Sequence, residues 1–255
     1  MICRFCGENR KLVEAHVIPR SFHRIDPSDR QPSRLVTNVE GRYTQKIRKG
    51  VYDASIVCEE CERRFAPWDD YADELFLKSW DRFEKITDRG HEIGYSLPAF
   101  DYPLLKLFFL SVLWRAATSD HVMFSKIDLG PRESVLKKAI ERSDPGSIDF
   151  FGVVLQAFDS PNVGILDPHP ERFSGVRFCR FYLSHIIAFV KVDGRPFTEP
   201  FSSAALGPDR PLVLVQKNFM TSPERRIMRR LVIADKRKAQ PGSQTREEPD
   251  KGASR

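Results

Sequence analysis

Apolar positions change period near the middle of the chain. From Trp68, the residues Tyr71, Ala72, Leu75, Phe76, Trp80 and Phe83 recur at steps of three and four, which is the spacing of one helix face. Residues 104–117 are apolar nearly all round and predict a buried helix, started by Asp101 and Pro103. Val135, Leu136, Ala139 and Ile140 mark one face of another helix over 131–142. Beyond residue 150 the apolar runs at 151–158, 176–183, 185–192 and 211–216 are β-branched or aromatic, with turn residues between them. They predict a small antiparallel sheet packed on the helices. A possible capping box at Thr221-Ser222-Pro223-Glu224 opens a basic helix bearing Arg225, Arg226, Arg229 and Arg230, a set that suits either plain solvent or phosphate.

The first seventy residues are patterned differently. Loose alternation over 11–18 predicts a strand ending at Pro19, and 51–57 predicts a second strand. A short helix is expected over 59–65, restarting at Pro67, with Asp69, Asp70, Asp73 and Glu74 as acids that favour a helix start. Residues 21–49 read as a long basic surface loop with a strand near 35–39, and 90–100 as a linker. From residue 236 onward the chain is almost free of apolar side chains and is expected to be disordered. The expected organisation is α+β: a module over 1–70, a mixed helical and antiparallel β unit over 71–235, and a basic tail over 236–255.

The cysteines change the picture of that first module. Cys3 and Cys6 form one C-x-x-C pair and Cys58 and Cys61 a second, after a gap of 51 residues. Two such knuckles supply the four thiolates of a closed structural Zn²⁺ site, whereas one alone would equally suit a redox pair. The fifth cysteine, Cys179, lies in a strand-like run and reads as a core thiol. Thiols in knuckles fit a reducing compartment, and the opening Met-Ile-Cys-Arg lacks the apolar run of a secretory signal, so a cytoplasmic location is expected. The longest apolar run contains Lys106 and Ser111 and is too short to span a bilayer.

Charge is distributed unevenly. Residues 1–50 carry 11 Lys and Arg against 5 Asp and Glu, residues 51–100 carry 6 against 12, and residues 201–255 carry 12 against 6. A basic entry and a basic end suit a phosphate-rich partner, although solvated surface would look the same.

Between the knuckles stands Ala15-His16-Val17-Ile18-Pro19, and the second knuckle lies within Tyr52-Asp53-Ala54-Ser55-Ile56-Val57-Cys58-Glu59-Glu60-Cys61-Glu62-Arg63-Arg64-Phe65. Strand, His, long loop, strand, knuckle and helix in this order resemble the zinc-braced ββα-metal module of the HNH endonucleases. The resemblance covers residues 1–70 and implies hydrolysis of phosphodiester bonds in DNA. His16 would be the general base, and a catalytic Mg²⁺ or Mn²⁺ would stabilise the phosphorane. Asp53 and Glu62 stand nearest to the family's later metal-site positions, so the set reads His-Asp-Glu rather than His-Asn-His. Ala15 replaces the acid or histidine often found before the base. Both substitutes are hard oxygen donors suited to Mg²⁺. Arg20, Arg24, Arg48 and Lys49 would hold the nucleic-acid backbone. Family analogy places such proteins in mobile elements or phage defence. The alternative is a catalytically inactive zinc-binding nucleic-acid-binding or adaptor protein, and the second unit leaves room for a homodimer or a protein partner.

Overall fold

The computed structural model describes residues 1–23, 33–35, 45–47, 50–160 and 166–239, the side chains of 33–35, 45–47 and 235–239 excepted. Its elements run β1 (Ala15–His16), β2 (Ser33–Leu35), β3 (Gln45–Ile47), β4 (Tyr52–Asp53), α1 (Glu59–Asp73), β5 (Glu84–Asp88), β6 (His91–Leu97), α2 (Tyr102–Thr118) and α3 (Arg132–Glu141). They continue with β7 (Val153–Phe158), β8 (His169–Phe173), β9 (Val176–Leu183), β10 (Ile186–Lys191), α4 (Phe201–Ala204), β11 (Leu212–Lys217) and α5 (Pro223–Ala239). The expected α+β class holds. The tail residues from 240 lie outside the described residues.

The sheet is larger than expected and is mixed. Seven strands lie in the order β5-β6-β11-β7-β10-β9-β8, and β11 runs parallel to β7 while its other neighbour, β6, is antiparallel. Alternation sets its two faces. Val153, Leu155 and Ala157 of β7, with Ile186, Ala188 and Val190 of β10, join the core around α2. Phe158, Phe178, Tyr182, Ile187 and Phe189 form a second cluster on the other face, against which Met228 and Leu231 of α5 pack.

α2 is the centre of the molecule. Asp101 caps it by accepting the Leu104 N–H at 2.9 Å, and Pro103 sits in the first turn. Nearly every side chain along it is buried. One side joins the sheet core, and the other meets the N-terminal module through Phe22 on Phe108 (ring centroids 5.7 Å apart) and Phe5 on Trp114 (5.0 Å). The boundary expected at residue 70 falls inside α1, and one buried core runs from Cys3 to Leu214.

Local expectations give way to packing in several places. Pro67 does not restart a helix: α1 continues through it. An interior proline costs about 3 kcal/mol, and burial of Phe65, Trp68 and Ala72 along one face offsets it. Past Asp73 the helix widens into one π turn (Glu74–Lys78) and a short 3₁₀ turn (Trp80–Arg82), so the periodicity expected as far as Phe83 is only partly helical. The expected linker at 90–100 holds the whole of β6, whose outward neighbour is the edge strand β5. β5 is largely exposed and β6 is exposed over its first three residues, so neither displays a clear apolar alternation to read.

Lys106 of α2 is fully buried, and its Nζ has no hydrogen-bond partner among the described residues. Burial, reinforced by the nearby Lys191 charge and opposed by Asp149, brings its pKa down from 10.5 to about 7. The unfolded chain therefore binds a proton that the folded chain releases between these values, and stability rises with pH through that window. Lys106→Met is expected to raise the urea midpoint most near or below about pH 7, with the gain shrinking toward about pH 10. An equal gain across that range would contradict a buried amine.

Candidate functional site

The four cysteines are assembled by short local structures. Gly7, at φ +77°, lets its N–H return to the Cys3 carbonyl at 2.8 Å and closes the first knuckle. The second knuckle opens α1, with Cys58 as its N-cap in extended conformation. An isolated bridge from Leu12 to Cys58 and the bond from Arg4 N to the Ile56 carbonyl lay the two knuckles together. All four Sγ atoms lie within 4.8 Å of one another, and those of Cys3 and Cys61 are 3.8 Å apart. Bonds of about 2.3 Å in a tetrahedron put zinc-bound sulfurs about 3.8 Å apart, so the cluster can hold an ion such as zinc. Burial by itself would raise the Cys3 thiol. The backbone N–H groups of Cys6, Cys58 and Phe5 overcome it and bring the pKa to about 7, whereas burial pushes the Cys6 and Cys61 thiols up, so the metal itself would have to draw out their protons.

His16 stands beside this cluster with its peptide held from both sides. Its N–H bonds to the carboxylate of Glu62, one residue past Cys61. Its carbonyl accepts from Arg115 Nη1 at 2.7 Å. Arg115 is fully buried and forks onto Asp69 at 2.9 and 2.7 Å, while Nη2 also reaches Ser111 Oγ at 3.1 Å. Its guanidinium lies 5.1 Å from the centre of the Phe65 ring. Burial raises the Glu62 pKa, with Arg115 opposing and Asp69 reinforcing. Around the imidazole, Tyr52 lies edge-on at 6.4 Å. Gly50, at φ +80°, passes so close that a Cβ there would sit 3.0 Å from His23 and 3.6 Å from His16. His23 is buried, and burial with repulsion from His16 lowers its pKa to about 4, against a bond to the Ile18 backbone. It is therefore neutral at pH 7.

Asp53 is not brought to His16. In the β1–β4 pair Asp53 is opposite Ala15, while His16 is opposite Tyr52, so the two side chains belong to opposite faces. Asp53 Oδ1 accepts from Ser55 N (2.8 Å) and Ser55 Oγ (2.6 Å), and Oδ2 from Ser119 Oγ (2.7 Å) and Asp120 N (2.9 Å). These bonds lower its pKa against the effect of burial. Its work is to tie the β4 turn to the end of α2. Arg20 is exposed on the single 3₁₀ turn Arg20–His23. Arg24, Arg48 and Lys49 lie outside the described residues, as does most of the expected loop strand near 35–39. Among the described residues, the four cysteines are the one group of three or more His, Cys, Asp or Glu that could hold a metal ion. No second group of three such ligands, of the kind that would hold Mg²⁺ or Mn²⁺ by side chains alone, occurs among the described residues.

Asp69, Arg115 and His23 are the residues of this site that the sequence reading did not place there. Asp69 looked like one of several helix-start acids. Arg115 carried a signal, since a charge inside an otherwise apolar helix must find a partner if it is buried.

Comparison with protein-family models, with curated proteins and with solved structures finds no match to this chain.

The cluster predicts one zinc per chain by elemental analysis, lost in Cys58→Ser with loss of the cooperative unfolding transition. A metal-free chain with unchanged melting would contradict this. Arg115→Met leaves the mostly buried Asp69 without its cation and is expected to destabilise by about 3–5 kcal/mol in urea unfolding. A change below about 1 kcal/mol would show that the pair adds little.

Proposed function

We propose that this chain is a phosphodiester hydrolase acting on DNA, with His16 as the general base of a divergent HNH-type site. The observation that carries the reading is the double restraint on the His16 peptide, from Glu62 and from Arg115, next to a cluster of four cysteines suited to zinc. A base must be held within hydrogen-bond reach of its water, and side chains fixed by buried partners do this better than loops. Neutral imidazole takes a proton from a water that attacks phosphorus, and the sugar oxygen leaves. Imidazole suits this step because its ordinary pKa lies near working pH. On this reading Glu62 and Arg115 hold the backbone of the base, and Arg20, which is exposed, is the proposed phosphate contact. A divalent ion would supply charge stabilisation, but Asp53 is engaged on the opposite face and Asp69 is committed to Arg115. No step here is assigned to such an ion.

The engagement of Asp53 favours a second reading, in which the module binds zinc and nucleic acid without cutting. In either case DNA is the proposed partner and the cytoplasm the proposed location, and the larger unit leaves a homodimer or protein partner open.

Supercoiled plasmid incubated with Mg²⁺ or Mn²⁺ separates the readings. Wild type is expected to nick and linearise it, and His16→Ala at equal zinc content is expected to lose that activity by at least about 10²-fold. Equal cutting by both would remove His16 from the mechanism. Binding without cutting by either would favour the non-catalytic reading.

A further inference from the structure

α5 is docked along one seam and carries its cations away from it. Ser222 Oγ accepts the Arg225 N–H at 3.2 Å at the start of the helix. Glu224 is almost fully buried and is bonded by Arg180 and by Lys217, the latter at 2.8 Å. One and two turns further on, Met228 and Leu231 pack on the second cluster of the sheet. At about 100° per residue, Arg225, Arg226, Arg229 and Arg230 fall within an arc of about 140° centred opposite Glu224. Arg226, Arg229 and Arg230 are exposed, and none of the three pairs with an acid among the described residues.

These arginines work against the helix that bears them. Arg225 with Arg229, and Arg226 with Arg230, are like charges at i,i+4, a destabilising arrangement. Arg225 and Arg226 also lie in the first turns, where the helix dipole disfavours cations. Folding gives no reason for this face, whereas a polyanion would: it turns mutual repulsion into counterion release.

We propose that the outer face of α5 is a nucleic-acid contact in which Arg226, Arg229 and Arg230, with Arg225 at the margin, bind the sugar-phosphate backbone. The contact rests on the reading that this chain handles nucleic acid, and its residues are distinct from the His16 site. A membrane surface fits less well. The exposed apolar side chains Ile227, Val232 and Ile233 point to three different sides, and the helix's apolar seam is spent on the sheet, so no continuous apolar face remains to enter lipid.

The test uses the zinc-loaded full chain, its R226E/R229E/R230E variant and its R226K/R229K/R230K variant. Binding to a labelled duplex of about 30 base pairs is followed by fluorescence anisotropy across NaCl concentrations. The glutamate variant is expected to lose at least about tenfold in affinity, with its log–log salt slope reduced by roughly 2–3, while the lysine variant keeps both. Circular dichroism should show the same helix content in all three. Unchanged affinity and slope in the glutamate variant overturn the contact, even if wild type cuts plasmid and the hydrolase reading stands. Arginine-dependent binding by a chain that never cuts supports the contact while the hydrolase reading fails. Wild type that sediments with phosphatidylserine vesicles and does not bind the duplex also overturns it.

Discussion

A guanidinium with no access to water must be neutralised where it lies, because the effective penalty for burying an ion is several kcal/mol even after relaxation. Arg115 meets that demand with Asp69 through two parallel bonds, and its remaining donors go to the His16 carbonyl and to Ser111. Those partners come from α1, β1 and α2. One side chain therefore fixes the distances among a strand end, the long helix and the central helix. Sliding α1 along α2 would break the fork, and peeling β1 away would leave a buried N–H without its acceptor.

The cysteine cluster fixes α1 at its other end. Cys58 is both a candidate ligand and the N-cap, and Asp69 follows eleven residues later, about 16 Å along the axis. Glu62 and Asp69 are seven residues apart, two turns, and so share a face. That face directs one carboxylate at the N–H of His16 and the other, through Arg115, at its carbonyl. The spacing of two acids on one helix thus positions a strand only two residues long, which has little pairing of its own.

Much of this was legible from residue types alone, and the failures have physical causes. The two C-x-x-C pairs pointed to the four-cysteine cluster because few other arrangements place four thiols so. The buried helix around Leu110 and the strand at 186–191 stood out because burial on both faces leaves continuous apolar runs. β5 and β6 were hidden because the exposed edge strand β5 needs no apolar alternation, and the inner partner of β6, β11, lies more than a hundred residues away. Pro67 misled because intrinsic propensity is weaker than the burial of Phe65 and Trp68. Asp53 and Asp69 looked alike as acids near a motif. What separates them is which face of a two-residue strand one occupies, and which helix supplies a cation to the other. Neither fact is local in sequence.

The shared core bears on how the two halves relate. α2 packs on the sheet through one side and holds the His16 peptide through the other, with Phe22 stacked on Phe108 and Phe5 on Trp114. Interiors packed at crystal-like density do not deform smoothly, and a hydrogen bond is lost within a fraction of its own length. A shift of α2 large enough to take Arg115 from the His16 carbonyl would also strain its fork with Asp69. The arrangement is therefore held as a whole or lost as a whole. On this argument the larger unit is part of the His16 site, because a first module cut at residue 70 would keep Asp69 and lose the cation that neutralises it.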